Sequence, residues 1–173
     1  MPQTRVAREA ANGVVIAEVL NQVQRALRIV ADRTAGKGLP PLAAVTLTLQ
    51  TVVVTAGGAK FKFLVFSFGR TWEKERSHEL VLTLAPPRAR RGRKAPELAD
   101  KLADAIVEAA TGVKDGLAGS PPLALNALKV SVSFVVTKDT SGGAAFTIEP
   151  VTFDLKGDLK TKAIHKVELS FKN

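Results

Sequence analysis

The 173-residue chain carries 25 Lys+Arg against 16 Asp+Glu, a formal net charge of +9, with no cysteine, no tyrosine and only two histidines. Without thiols there is no disulfide framework, no thiolate nucleophile and no cysteine-ligated zinc or iron–sulfur site. Hydrophobic residues at 46% against 24% charged exclude a disordered chain. At this length a fold buries roughly 70% of the unfolded surface without staples.

The first apolar stretch, Ala10 to Leu20, is short and carries Asn12 and Glu18, whereas a spanning helix needs about 20 apolar residues. Val15, Ile16, Val19, Leu20, Val23, Leu27 and Val30 share one face at helical spacing, which predicts a helix over about residues 10–33. Its amphipathic continuation argues against an export signal. The chain therefore reads as cytoplasmic, without a membrane segment. Gly36 and Gly38 follow as helix stops. An alternating run from Val45 to Thr55 predicts a strand with Val45, Leu47 and Leu49 on one face and Thr46, Thr48 and Gln50 on the other. Gly57-Gly58 predicts a hairpin turn into a second strand, Ala59 to Phe68, and a third strand starts at His78.

Residues 88–94, Arg-Ala-Arg-Arg-Gly-Arg-Lys, hold five basic side chains and no acidic one, flanked by Pro86-Pro87 and Pro96. This composition marks a linker. The same series of elements then recurs. Leu98, Leu102, Ile106, Ala109, Val113 and Leu117 form a helical stripe. Leu128–Thr137 alternates as a strand, Gly142-Gly143 forms a turn, Ala144 to Leu155 a strand, and His165 to Phe171 a closing strand. From the first copy to the second, the landmarks at 40, 57 and 78 recur at 121, 142 and 165. The slow drift in spacing is what small loop insertions produce. The chain is thus expected to be an α+β tandem duplication of a helix–β–β–β unit, with pseudo-two-fold antiparallel meander sheets and one helix packed on each. The units are 1–87 and 96–173, with a basic linker at 88–95. The two sheets either stay separate or merge into one of six strands.

The helix around Glu97–Ile106, the long alternating strand, the Gly-Gly turn and the closing His165-Lys166-Val167-Glu168-Leu169-Ser170-Phe171 resemble the trypsin-co-occurring domain of the second type. This small bacterial domain of one helix and three strands is found beside trypsin-like peptidases and other effectors of conflict or signalling systems. In the first copy, His78-Glu79-Leu80 replaces the family's usual His-basic-aliphatic start of the last strand. The resemblance implies an accessory or adaptor module without catalytic residues.

Among the residues that could carry chemistry, His78 and His165 occupy equivalent places. One reading is a paired metal or proton-switch site. The other is inheritance by duplication, each histidine capping or hydrogen-bonding locally at the start of an edge strand. Two histidines without cysteine or a carboxylate cluster fall short of a zinc site, and no metal or cofactor is expected. Ser77 beside His78 does not suggest nucleophilic catalysis, because strand neighbours point to opposite faces. Asp100, Asp104 and Glu108, four apart beside Lys101, read as a solvated helix face rather than a hydrolytic pair. No Gly-Lys-Ser/Thr follows either Gly-Gly pair, so neither is a phosphate loop.

Arg88, Arg90, Arg91, Arg93 and Lys94 are the candidate anion or nucleic-acid contacts. With no aromatic platform beside them they predict weak, non-specific binding. Trp72 lies elsewhere, among alternating charges. The expected function is a non-enzymatic interaction module, docking to a peptidase or effector, or to its own copies, through sheet edges. The alternatives are a nucleic-acid-binding protein working through the linker, or a structural subunit of a filament or phage-like assembly.

Overall fold

The computed structural model describes residues 13–55, 60–67, 77–87, 101–138, 146–152 and 164–173. The linker 88–95, both Gly-Gly turns, Trp72, Glu97, Leu98 and Asp100 lie outside the described residues. In chain order the elements are β1 (Gly13–Val15), α1 (Ile16–Thr34), β2 (Leu42–Thr55), β3 (Phe61–Phe66) and β4 (Ser77–Leu84), then α2 (Lys101–Leu117), β5 (Ala127–Lys138), β6 (Phe146–Pro150) and β7 (His165–Lys172). The α+β class and the duplication stand.

The duplication is visible in the ladders. Thr51 of β2 pairs with Val65 of β3 and His78 of β4, while Phe134 of β5 pairs with Pro150 of β6 and His165 of β7. The same displacements of 83, 85 and 87 residues carry Thr55↔Phe61 onto Lys138↔Phe146 and Val45↔Leu84 onto Leu128↔Phe171. Each copy is therefore a three-stranded unit with the same register, but not the expected meander: its first strand lies in the centre and the other two take its two edges.

The two units form one antiparallel sheet, and among the described residues it has a seventh strand. The sequence pattern placed residues 13–15 in the first helix, but they form β1 along β3, with Gly13 opposite Phe66. The continuous apolar run hides the boundary, and Gly13 explains it: a Cβ there would lie 2.5 Å from the Leu64 Cβ, so only glycine allows this approach. At the other end of α1, Gly36 and Gly38 both adopt positive φ, near 75°, the conformation that ends a helix most easily with glycine.

The alternation read from β2 holds. Val45, Leu47 and Leu49 are fully buried, and Thr46, Thr48 and Gln50 are half-exposed on the opposite face. The apolar face carries both helices. Val19, Val23, Leu27 and Val30 of α1 and Leu102, Ala103 and Ile106 of α2 share one core with Leu47, Phe134, Val167, Leu169 and Phe171. At about 25 cal/mol per Å² of apolar area removed from water, this shared core is the main stabilising term of both units together. A second, smaller cluster of Val52, Val54, Leu64 and Phe66 lies at the β1–β3 end of the sheet.

Candidate interaction site

The junction between the units is a fork in the sheet. One edge of β2 pairs with β4 from Val45 to Val52. The other edge is divided: β7 of the second unit takes Leu42 to Thr48, and β3 takes Thr51 to Thr55. Leu49 and Gln50 lie between the two ladders. Backbone groups in such a break need partners, because a buried, unpaired N–H loses about 1–3 kcal/mol.

His165 supplies them. Its Nδ1 accepts the Gln50 N–H at 3.0 Å, and its Nε2 lies 2.9 Å from the Phe66 carbonyl at the end of β3. The first bond fixes the tautomer: Nδ1 accepts, so the proton sits on Nε2 and is donated to Phe66. The ring is fully buried and stacks at a tilt against Phe134, centroids 5.4 Å apart. Burial pulls its pKa down to about 4, with the hydrogen bond to Phe66 opposing in part. His165 is therefore a neutral clamp joining β7, β2 and β3.

The partner histidine stands at the equivalent ladder position in a different setting. His78 is exposed, its carbonyl accepts the Thr51 hydroxyl at 2.8 Å, and its ring meets Phe63 edge-on at 6.4 Å. Duplication accounts for the shared position, but the expectation of local bonding at an edge strand fails for His165. Its strand is interior, and its partners are 115 and 99 residues away in sequence. The two rings belong to separate surroundings, and among the described residues no group of three or more His, Asp or Glu could hold a metal ion.

The helices meet across the same junction. Asp104 of α2 is ion-paired to Arg33 in the last turn of α1, so it joins the two units instead of lying on a free solvated face. Glu108 is exposed. On the open face of the sheet, Gln50 donates to Glu79 at 2.9 Å. Glu168 accepts from Lys129 at 3.0 Å, with Lys166 at 3.7 Å, and the Lys129 hydrogen bond leads in holding its carboxyl below the usual range. The clamp role of His165 left one signal in the sequence: two histidines in register with unlike strand neighbours, Thr51 for one and Phe134 for the other. The role itself depends on where β3 ends.

A scan against family models matches trypsin-co-occurring domain 2 twice, over residues 14–86 and again over 97–173. The chain belongs to that family. The two matched segments are the two units of the sheet, so trypsin-co-occurring domain 2 occurs here as a fused tandem pair. No curated protein matches the chain, and no solved structure matches it. Among the described residues no helix is long and apolar enough to cross a membrane.

Proposed function

We propose that this tandem trypsin-co-occurring domain 2 protein is a non-enzymatic, cytoplasmic docking module. It would serve a trypsin-like peptidase or another effector of a bacterial conflict or signalling system. The observation that carries this reading is the double family match, in a family described by its co-occurrence with trypsin. The described side chains support it as well. The His165 ring bonds backbone groups of β2 and β3 and meets Phe134, and the His78 ring meets Phe63. Docking would use the sheet's outer edge and open face.

The linker at 88–95 favours a secondary role in weak anion binding through Arg88, Arg90, Arg91, Arg93 and Lys94, since five cations fall within seven residues. The test is calorimetric titration of the purified chain with the peptidase or effector encoded beside it, alongside an activity assay of the chain alone. Saturable binding without intrinsic turnover is the expected result. Turnover by the chain that is lost on substituting His78 or His165 would overturn the reading.

A further inference from the structure

The contact between the two units is one-sided. β7 of unit two lies on β2 of unit one, but β4, the counterpart of β7, does not lie on β5, the counterpart of β2. Among the described residues β4 pairs only with β2. On the side of β5 that faces β6, residues Ala127–Ser131 pair with no described strand. Both surfaces of the internal contact are thus present a second time, unoccupied by any described strand, at opposite ends of the sheet.

We propose that a second copy of this chain occupies them, β4 of one copy adding to β5 of the next, so that the protein assembles head to tail. A contact between two different surfaces repeats until it closes a ring or extends a filament. The internal contact prescribes the register. Val45 faces Leu169 and Leu47 faces Val167 inside the chain. By the displacements of 83 and 87 residues, Leu128 faces Leu82 and Val130 faces Leu80 of the second copy.

Burial supports the match at most positions. Val45, Leu47 and Leu49 are 0% exposed, while of their counterparts Leu128 and Val132 are only half-buried and Val130 is buried, at 7%. Val167, Leu169 and Phe171 are 0% exposed, while Leu80, Leu82 and Leu84 are half-buried. On the helix layer, Val30 is 0% exposed, and its counterpart Val113 is 39% exposed. The residues less covered than their counterparts are those a neighbouring unit would cover.

The β4 edge also carries little of the usual protection, its one formal charge being Glu79. Ser77–Leu84 runs for eight residues with no proline, lysine or arginine, and Val81 is 60% exposed. The clamp has its counterpart too. His78 stands for His165, Ser133 for Gln50 and Val151 for Phe66. The Ser133 carbonyl accepts the Val151 N–H at 2.9 Å. Because a residue's N–H and C=O point to the same side of a strand, the Ser133 N–H faces the edge where His78 of the second copy would arrive.

Two proline variants test this. Val81 on β4 and Ser131 on β5 are the counterparts of Glu168 and Thr48, whose backbone groups face the internal contact, so Val81→Pro and Ser131→Pro each remove one outward N–H from one surface. Wild type is expected to show, by size exclusion with light scattering, a mass that rises with concentration above the 18.4 kDa chain. Each variant alone is expected to stay at the chain mass. Their mixture should form a species of twice that mass and nothing larger, because one intact β5 edge meets one intact β4 edge. Circular dichroism verifies the fold, and Leu82→Lys with Leu128→Lys forms a second pair if a proline variant unfolds.

A wild type that stays at the chain mass to several hundred micromolar overturns the proposal. So does self-association of Ser131→Pro matching wild type, the mark of β4 pairing with β4, and so does a mixture that forms no dimer. No peptidase is present in these measurements, so their failure leaves the docking reading standing.

Discussion

Acidification from pH 6.5 to 5 is expected to remove about 1–2 kcal/mol of stability through His165 alone. The ring is neutral in the fold because it is buried, with a pKa near 4. A second ring proton would also point at the Gln50 N–H, which now donates to that nitrogen. In the unfolded chain the same side chain titrates near 6.5. A depressed histidine pKa means that the unfolded state binds the proton first as pH falls. The stabilisation is complete above pH 6.5 and declines by up to about 1.4 kcal/mol per pH unit. It levels off below the folded pKa near 4, after a total of about 3 kcal/mol.

The assay is urea unfolding at pH 7.5, 6.5, 5.5 and 5.0 for wild type and His165→Gln. His78 is common to both proteins and cancels in the difference. Glu168, held low in the fold, loses its contribution as pH falls from its usual range to its lower folded value, beneath most of this window, and it is common to both proteins. The variant is expected to be less stable at pH 7.5, by about 1–3 kcal/mol for hydrogen bonds imperfectly replaced. Its stability should fall less between pH 6.5 and 5. Parallel pH curves for the two proteins would refute the neutral clamp.

Three further outcomes follow from the fold. Gly13→Ala is expected to destabilise by about 1–3 kcal/mol, since the new methyl group must displace Leu64 of β3; thermal unfolding measures it. Leu47→Ala, at a fully buried position, should lose about 2–5 kcal/mol, and Leu80→Ala on the half-buried edge strand distinctly less; the comparison is made by urea unfolding at low protein concentration. A double-mutant cycle on Arg33 and Asp104, whose side chains are 27% and 44% exposed, should return no more than about 1 kcal/mol, because solvent screens the pair.

The two helices and most of the strands were legible because each apolar stripe has one period and one face to cover. The duplication was legible because loop insertions left the order of landmarks intact. β1 was not, since Gly13-Val14-Val15 runs without a break into the helical stripe, and no capping side chain marks the start of α1. The merged sheet was not legible either. Alternation in β2 fixes which residues face the helices, but it does not say which strand will take each edge. That choice follows from the length of β3: it leaves β2 at Thr51, and the rest of that edge, from Thr48 back to Leu42, goes to β7. His165 gains its role only once that gap exists.

The divided edge of β2 also constrains how the chain can be made. Leu47 and its partner Val167 are separated by more than a hundred residues of synthesis. At translation rates of about 5–20 residues per second, the first unit waits on the order of ten seconds with half of one edge of its central strand unpaired. Such long-range pairing is slow to form even in a finished chain. During that interval the bare stretch of β2 offers a nascent neighbour the same backbone that β7 will later take, and an identical chain emerging from the same message carries a β7 able to take it. Exchange of that strand between polysomal neighbours is thus a hazard built into the fused pair, and faster delivery of β7 to its own β2 would lessen it.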